Sequence, residues 1–351
     1  MAITEILPGI HYVGVNDRTT TRFEGLWSLP SGVSYNSYLV IGEKIALIDT
    51  VEEAFGSRLF ENIREVIGER KIDYLVVNHM EPDHSSSIAA LRLRYPDLRI
   101  VGNAKTLQMI GGYYGIGTGT VEVGEGSTLD LGGKVLSFHL IPMVHWPETM
   151  VTWYADEGVV FSGDAFGTFG ALDGGITDSQ VEPERYWDEM RRYYACIVGK
   201  YGVPVQKALQ KVGGLPIRTI CPTHGPVWQR EIPRVVDLYD RLSRYEGEPG
   251  AVVAYGSMYG NTEQMPTASP GSWPRRACGE SGSTTSPTPI RRSCCATSSA
   301  TTRSSSAARP TTPSFSRPSS NCCAASRRAA SRSATSPSSA PSRGPRPPCA
   351  G

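Results

Sequence analysis

The sequence predicts an α/β fold for its first 245 residues, with two packed sheets and helices on their outer faces, an αββα layering. Short, β-branched apolar runs such as residues 44–50 and 74–77 are typical of buried strands. Between these two runs, residues 55–68 carry apolar side chains at helical spacing and end at Gly68. Strand pairs that alternate with helices in this way favour two sheets with helices outside.

The same patterns predict the elements in order along the chain. Residues 1–55 are expected to form short strands joined by turns, and later strands precede the polar positions described below. The expected helices cover residues 55–68, 85–95, 106–114, 186–198 and 206–212, and the expected strands include residues 74–77, 99–101, several between 119 and 161, and 218–221.

The strand at residues 74–77 leads directly into a dense ionisable cluster, His79-x-Glu81-x-Asp83-His84. Two imidazoles and two carboxylates within six residues provide the mixed nitrogen and oxygen ligands that suit first-row transition metals. The alternative is a solvated acidic turn that precedes a helix capped by Asp83 or Ser85. A loop at a strand end can aim several side chains at one point, which favours the metal site.

Three further residues of ligand type follow strand-like runs. His145 follows residues 141–144, Asp164 follows residues 159–163, and His224 follows residues 219–223. A single histidine after a strand is more often structural than a metal ligand. Together with the run from His79 to His84, these residues make four positions of ligand type that each follow a strand-like run. Four such positions favour one shared metal centre over four unrelated structural roles.

Composition restricts the class of protein. The 351 residues suffice for two domains, and 35 Lys and Arg nearly balance 34 Asp and Glu. After Pro266, however, there are twelve Arg, no Lys and one acid, Glu280, so the preceding body has a net charge of about −10. An acidic body argues against nucleic acid as the main partner.

Cysteine usage and the N-terminus predict a cytoplasmic protein. Only Cys196 and Cys221 of the eight cysteines lie in the body, which suggests a reducing compartment without disulfides. The N-terminus has neither the basic nor the apolar region of a signal peptide. No apolar run is long enough to cross a membrane, so no membrane partner is expected.

A linker at residues 246–250 and a strand at 251–255 begin a second pattern, which extends to residue 265. A loop of small and hydroxyl-bearing residues follows this strand and opens a helix. Backbone N–H groups in such a loop, together with the helix dipole, favour a phosphate. The expected phosphate-binding residues are Ser257, Met258, Tyr259, Gly260, Asn261 and Thr262.

Residues 266–351 are rich in Ser, Arg, Pro and Ala and contain no Leu or Val. Such a segment is expected to be disordered, because it cannot offset the entropy cost of folding. An Arg/Ser-rich RNA-binding tail is the functional alternative. We hypothesise instead a frameshift near Met265, because codons read one nucleotide earlier can continue the helix and encode Gly-Ser-Pro-Thr-Tyr-Asn.

Taken together, these motifs resemble the flavodiiron proteins, which join a metallo-β-lactamase-like domain to a flavodoxin-like, doubly wound domain. The resemblance covers about residues 1–265 and implies a diiron domain over 1–245, followed by the start of a flavodoxin-like domain over 246–265. The motifs that carry it are Gly32-Val33-Ser34-Tyr35-Asn36-Ser37-Tyr38-Leu39, the run from His79 to His84, His145-Trp146-Pro147-Glu148-Thr149-Met150, Gly163-Asp164-Ala165-Phe166-Gly167, residues 222–228, and residues 257–263.

The resemblance implies two non-haem irons and an FMN. His79, Glu81 and His145 would hold one iron, Asp83 and His224 the other, and Asp164 would bridge them. His84 would either ligate or yield to water. Trp146 and one of Tyr193 and Tyr194 would lie near the site, although core packing is the more frequent role of such side chains. Residues 257–262 would bind the FMN phosphate.

The implied activity is reduction of O2 to water or of NO to N2O. Electrons would come from a rubredoxin or a reduced-flavin donor through FMN, in a head-to-tail homodimer or a dimer of dimers. Only the first phosphate loop is present, so flavin binding and turnover by this chain are expected to be impaired. The alternatives are a metallo-β-lactamase-superfamily hydrolase and a binding module. Glu81 argues against the hydrolase, because zinc-binding relatives carry histidine there and a carboxylate favours iron.

Overall fold

The computed structural model describes residues 4–249 and 258–259, and it confirms the αββα arrangement. The strands, in chain order, are β1 (Thr4–Leu7), β2 (Ile10–Tyr12), β3 (Val15–Asp17), β4 (Arg22–Phe23), β5 (Trp27–Ser28), β6 (Val33–Tyr35), β7 (Tyr38–Ile41), β8 (Ile45–Ile48), β9 (Tyr74–Val76), β10 (Arg99–Gly102), β11 (Thr120–Glu122), β12 (Thr128–Asp130), β13 (Val135–Leu140), β14 (Met150–Tyr154), β15 (Val159–Gly163) and β16 (Thr219–Pro222).

The helices lie mainly in the connections between these strands. They are α1 (Gly56–Ile67), α2 (Pro82–Ser85), α3 (Ile88–Arg94), α4 (Ala104–Tyr114), α5 (Glu184–Tyr193), α6 (Gly202–Val212) and α7 (Ile232–Ser243), with a π-helical turn at Tyr194–Val198 and 3-10 turns at Glu53–Phe55 and Gly199–Tyr201. Within the described ranges, no helix has both the length and the apolar character needed to span a membrane.

Two sheets form the centre of the fold. The first has the strand order β1-β2-β7-β8-β9-β10-β11, and the second has the order β12-β13-β14-β15-β16. Strands β8 to β11 run parallel, with α1, α3 and α4 as the crossover connections that parallel pairing requires. Within the second sheet, β12 to β15 form an antiparallel meander and β16 lies parallel to β15.

The core lies between the two sheets. Tyr38 of β7 contacts Phe161 of β15, with ring centroids 5.4 Å apart, and the Tyr38 hydroxyl donates to the Pro222 carbonyl oxygen at 2.6 Å. All four residues of β8 are buried, as a strand covered on both faces requires. On α1, Leu59 and Ile63 are fully buried, so its apolar stripe faces the sheet.

Several predicted elements need correction. The helix expected over residues 85–95 is split between α2 and α3. At the break, the hydroxyls of Ser86 and Ser87 donate to the Val51 carbonyl oxygen and tie this segment to the loop after β8. The helix expected over residues 186–198 ends as α-helix at Tyr193 and continues as the π-helical turn. The helix expected over 206–212 begins earlier, at Gly202.

Helix α7 was not among the predicted helices, although its sequence carries the signal for one. Its buried side chains include Val235, Leu238 and Leu242, which recur at helical spacing. The expected disordered tail and most of the expected phosphate loop lie outside the described residues. Met258 and Tyr259 are described and are both exposed.

Candidate metal centre

The loop that follows β9 is held by buried hydrogen bonds before it presents its ionisable residues. The Asn78 backbone N–H donates to Asp49 Oδ1 at 2.7 Å, and its side-chain amide donates to Asp49 Oδ2 at 3.0 Å. The Thr152 hydroxyl donates to Asn78 Oδ1 at 2.8 Å. Burial raises the pKa of Asp49 to about 6, against the opposing effects of nearby imidazoles and these bonds. These hydrogen bonds hold Asn78 in place, so the position at which residues 79–84 begin is fixed relative to the sheet.

One half of the cluster gathers His79, Glu81 and His145 around one carboxylate oxygen of Asp164. His145 Nε2 lies 3.0 Å from Glu81 Oε2 and 2.9 Å from Asp164 Oδ2. The Nε2 atoms of His79 and His145 are 3.2 Å apart. All four residues are buried, and one potential ligand atom from each lies within 4.8 Å of the others.

The other half gathers Asp83, His84 and His224. Asp83 Oδ2 lies 3.4 Å from His84 Nε2 and 3.3 Å from His224 Nε2. The second oxygen of Asp164, Oδ1, lies 3.0 Å from His84 Nε2 and 3.7 Å from His224 Nε2. The structure thus brings all seven predicted ligand residues together, with Asp164 between the two halves.

Three of the four sequence positions follow strands as expected, and the fourth does not. His79, Asp164 and His224 come shortly after β9, β15 and β16. The strand expected over residues 141–144 is wrong, because His145 lies on the connection between β13 and β14. There the backbone folds back on itself: Met143 has φ of 67°, and its N–H donates to the Trp146 carbonyl oxygen at 2.7 Å.

The chemistry of the cluster fits bound metal. Both oxygens of Asp83 and the Nε2 atoms of His84 and His224 are buried without a hydrogen-bond partner in the described part of the chain. Buried polar atoms are normally satisfied, so atoms that converge without sharing protons indicate a cation site. Four imidazoles and three carboxylates match the nitrogen and oxygen ligands of first-row transition metals. The residues present therefore fit two transition-metal ions.

The charges of the cluster stabilise one another. Burial disfavours the imidazolium of His79, but the charge of Asp164 and hydrogen bonds with Glu148 and Glu81 hold its pKa well above the ordinary value. Burial also disfavours the Asp164 carboxylate, but the charges of His84 and His79 hold its pKa well below the ordinary value. The carboxylate therefore stays ionised, as a metal ligand must be.

Two histidines have partners on the ring nitrogen that faces away from the cluster. His79 Nδ1 lies 2.9 Å from Glu148 Oε1, and His224 Nδ1 lies 2.7 Å from the Ser34 carbonyl oxygen. Such partners fix the tautomer and orientation of metal-binding imidazoles. Glu148 and Ser34 belong to two of the sequence motifs above, but no role was predicted for either residue. Their contacts join residues far apart in the chain, which spacing alone does not reveal.

The predicted aromatic residues separate into two groups. The Trp146 ring lies 5.2 Å from the His79 ring, and the Tyr193 ring lies 5.5 Å from the His224 ring. Tyr194 instead packs against Tyr239, with centroids 5.1 Å apart. The structure therefore brings Trp146 and Tyr193 to the centre and turns Tyr194 away from it.

The hairpin formed by β4 and β5 also reaches the centre, which the sequence did not indicate. The Phe23 ring lies 5.3 Å from the His224 ring. At the tip, Glu24 accepts a hydrogen bond from Trp27 Nε1 at 3.1 Å. Partial burial and the nearby charge of Glu81 raise the pKa of Glu24 to about 7. This hairpin therefore forms part of the wall around the cluster, with Phe23 beside His224 of the second half and Glu24 near Glu81 of the first.

The fold and cluster define a class of protein, a metallo-β-lactamase-like domain with two adjoining groups of residues that could hold metal ions. The family model for the ODP family beta lactamase matches residues 33–225, and the chain belongs to this family. The matched range includes every predicted metal ligand. The expected resemblance to the flavodiiron proteins is confirmed by the relatives that follow.

Among curated proteins, the chain is 34% identical over 269 residues to a nitric oxide reductase of Moorella thermoacetica, covering 76% of this chain and 66% of the relative. It is 34% identical over 264 residues to the anaerobic nitric oxide reductase flavorubredoxin of Escherichia coli O1:K1, covering 74% of this chain and 55% of the relative. The chain therefore spans about half to two thirds of the length of these relatives.

Solved structures give the same result. The rubredoxin oxygen:oxidoreductase of Desulfovibrio gigas superposes with a TM-score of 0.70 at 31% identity, covering 76% of this chain and 67% of that one. The flavodiiron protein of Giardia intestinalis superposes with a TM-score of 0.70 at 27% identity, covering 76% and 66% of the two chains. The similarity thus extends over most of the residues described above.

Proposed function

We propose that this chain is the diiron part of a flavodiiron-type oxidoreductase that reduces O2 to water, NO to N2O, or both. The observation that carries the proposal is the pair of half-sites that share Asp164, with Glu81 supplying a carboxylate to the first. Curated relatives named as nitric oxide reductases and a solved rubredoxin oxygen:oxidoreductase support the reaction class.

The reactions balance with electrons and protons alone. One O2, four electrons and four protons give two waters, and two NO, two electrons and two protons give one N2O and one water. A bound pair of irons would supply redox chemistry at the cluster, held by His79, Glu81, His145, Asp83, His84, His224 and Asp164. The protein must then position this centre, deliver protons and exclude bulk water.

Tyr193 is the residue best placed to hold a proton beside the centre. Its side chain is fully buried and its hydroxyl has no hydrogen-bond partner among the described residues. Burial and the negative charge of Asp164 hold its pKa well above the ordinary value, so the hydroxyl remains a donor. Phe23 and Phe169 pack around its ring and exclude water from this side.

The supply of electrons belongs to the same proposal. FMN, held by residues 257–262, would pass electrons from a rubredoxin or a reduced-flavin donor in a cytoplasmic homodimer or dimer of dimers. The domain division at about residues 245 and 265 and the frameshift hypothesis also remain proposals. Reading the nucleotide sequence across codon 265 tests the frameshift, because a single-base change should restore the flavodoxin-like frame.

The proposed activity is tested on the full chain without an electron donor. Protein loaded with Fe2+ under argon should bind two irons per chain, and their oxidation to Fe3+ would supply the two electrons that the reaction needs. Mixing with NO should then give N2O in the headspace of the sealed vessel. Protein loaded with Zn2+ is the control and should give none. A different set of results would overturn the proposal in favour of a hydrolase. The protein would purify with zinc and hydrolyse a lactam or ester substrate, and its iron form would neither produce N2O nor take up O2.

A further inference from the structure

The two halves of the metal centre differ in the groups that surround their ligands. In the first half, His79 Nδ1 faces the carboxylate of Glu148 at 2.9 Å. The same oxygen, Oε1, also accepts the Met80 backbone N–H at 2.9 Å. Glu148 is 1% exposed, and its other oxygen has no partner in the described part of the chain. Its negative charge is therefore directed largely at His79.

Among the described residues, no such carboxylate lies behind the imidazoles of the second half. His224 Nδ1 donates to the Ser34 carbonyl oxygen, which is neutral. His84 Nδ1 is buried and has no hydrogen-bond partner among the described residues. A carboxylate partner makes an imidazole a stronger metal ligand than a carbonyl partner does, because it stabilises the positive charge that develops on the ring.

Asp164 adds a difference in the same direction. Its Oδ1, which faces His84 and His224, accepts the Thr223 hydroxyl at 2.6 Å. Its Oδ2, which faces His145 at 2.9 Å, has no comparable hydroxyl donor in the part of the chain that the structure describes. A donated hydrogen bond draws electron density from the oxygen that accepts it. The shared carboxylate is therefore the stronger donor on the side of His145.

Asp49 is a buried carboxylate whose charge acts on the imidazole of His84, so it could oppose this difference between the two halves. Both of its oxygens are engaged by Asn78, however, and neither contacts an imidazole nitrogen. Each half also has one carboxylate ligand of its own, Glu81 or Asp83, so these two contributions largely cancel. The remaining difference comes from Glu148 and Thr223.

We infer that the metal centre is built with two unequal positions, and that the half formed by His79, Glu81 and His145 binds a divalent cation more tightly. Glu148 is the positioning residue that sets this order, acting through His79. The first cation to enter therefore occupies this half, and the second enters the half formed by Asp83, His84 and His224. The inference concerns metal affinity alone, so it does not depend on which gas is reduced.

The test uses the full chain, stripped of metal by a chelator. One equivalent of 113Cd2+ is added to protein labelled with 15N-histidine, and the imidazoles coupled to cadmium are identified by NMR. We expect coupling to His79 and His145 at one equivalent, and to His84 and His224 only with the second. Coupling first at His84 or His224, or equally in both halves, would overturn the inference.

A variant series tests the role of Glu148. Competition with a chromophoric chelator should show that Glu148→Gln weakens the first Zn2+ step by about 10- to 100-fold, the usual effect of losing such a partner, and leaves the second nearly unchanged. Glu125→Gln is the matched control, because Glu125 also pairs with a histidine nitrogen, His139 Nδ1, at 3.0 Å, outside the centre. A Glu148→Gln protein with an unchanged first step would refute the assigned role.

Discussion

The hydroxyl of Thr223 donates a 2.6 Å hydrogen bond to Oδ1 of Asp164, the carboxylate that lies between the two halves of the metal centre. Thr223 is 1% exposed and directly precedes His224. One short segment after β16 therefore supplies a candidate ligand, His224, and also orients the shared carboxylate. Because Asp164 lies about 3 Å from both His84 and His145, its orientation affects both halves.

Replacing Thr223 with valine keeps the shape of the side chain and removes this hydrogen bond. We expect Thr223→Val to weaken metal binding by about tenfold, because partners of metal ligands typically contribute 10- to 100-fold. The lost orientation of Asp164 should outweigh the electron density that its Oδ1 regains when the hydrogen bond is removed. Zn2+ affinity, measured by chelator competition, checks the result.

Two controls separate the hydroxyl from general packing. Thr223→Ser keeps the hydroxyl and should retain most of the affinity. Thr106→Val makes the same change at another fully buried threonine, whose hydroxyl has no partner among the described residues, and should leave metal binding unchanged. Equal loss in the valine and serine variants at position 223 would assign the effect to packing.

The position of Asp164 predicts that both metals depend on it. Asp164→Ala should lose most of the bound iron, because one oxygen faces each half of the centre. Iron per folded chain, measured by elemental analysis together with circular dichroism, gives the outcome. Asp173→Ala, at an exposed carboxylate that pairs with Arg185, is the control. A folded Asp164→Ala protein that still bound two irons would rule out the shared-ligand assignment.

Metal binding should depend on pH through His84. Burial lowers its pKa, but the charges of Asp83 and Asp164 outweigh burial and raise it to about 9 before a metal binds. Below that pH a cation that enters the half formed by Asp83, His84 and His224 must displace a proton from His84, so affinity for this half should rise with pH by up to about tenfold per unit and level off near pH 9. Proton release on adding Zn2+ in weak buffer at neutral pH measures this directly. Binding without proton release would contradict it.

The sequence singled out the candidate ligand residues that lie together in the structure, because each kind of evidence for them was local. The run from His79 to His84 packs its ligands into six residues, and Asp164 and His224 follow strands whose apolar pattern is clear. His145 was placed correctly in the set but on the wrong element. A short apolar run containing Pro142 resembles a strand, and only the structure shows the loop that holds it.

The groups that support the ligands could not be found in the same way. The contact between Glu148 and His79 joins residues 69 positions apart, and that between Ser34 and His224 joins residues 190 apart. Neither distance follows from periodicity or spacing. The choice between Tyr193 and Tyr194 was also open, because it depends on how the chain turns where α5 gives way to the π-helical turn.

That choice gives a matched pair of variants for the proposed activity. Tyr193→Phe should keep the fold and both metals and lower the rate of N2O formation by about 10- to 100-fold. The variant cannot donate a hydrogen bond to the charge that develops on the reacting NO, and such a bond contributes roughly 1.5–3 kcal/mol. Tyr194→Phe removes the hydroxyl of the adjacent buried tyrosine, whose ring packs on Tyr239, and should leave the rate unchanged. Stopped-flow mixing of the iron-loaded chain with NO, with iron content measured in parallel, distinguishes the two. If both variants reacted at the unaltered rate, the proton would have to reach the centre from another group, and Glu24 on the hairpin of β4 and β5 would be the next to replace.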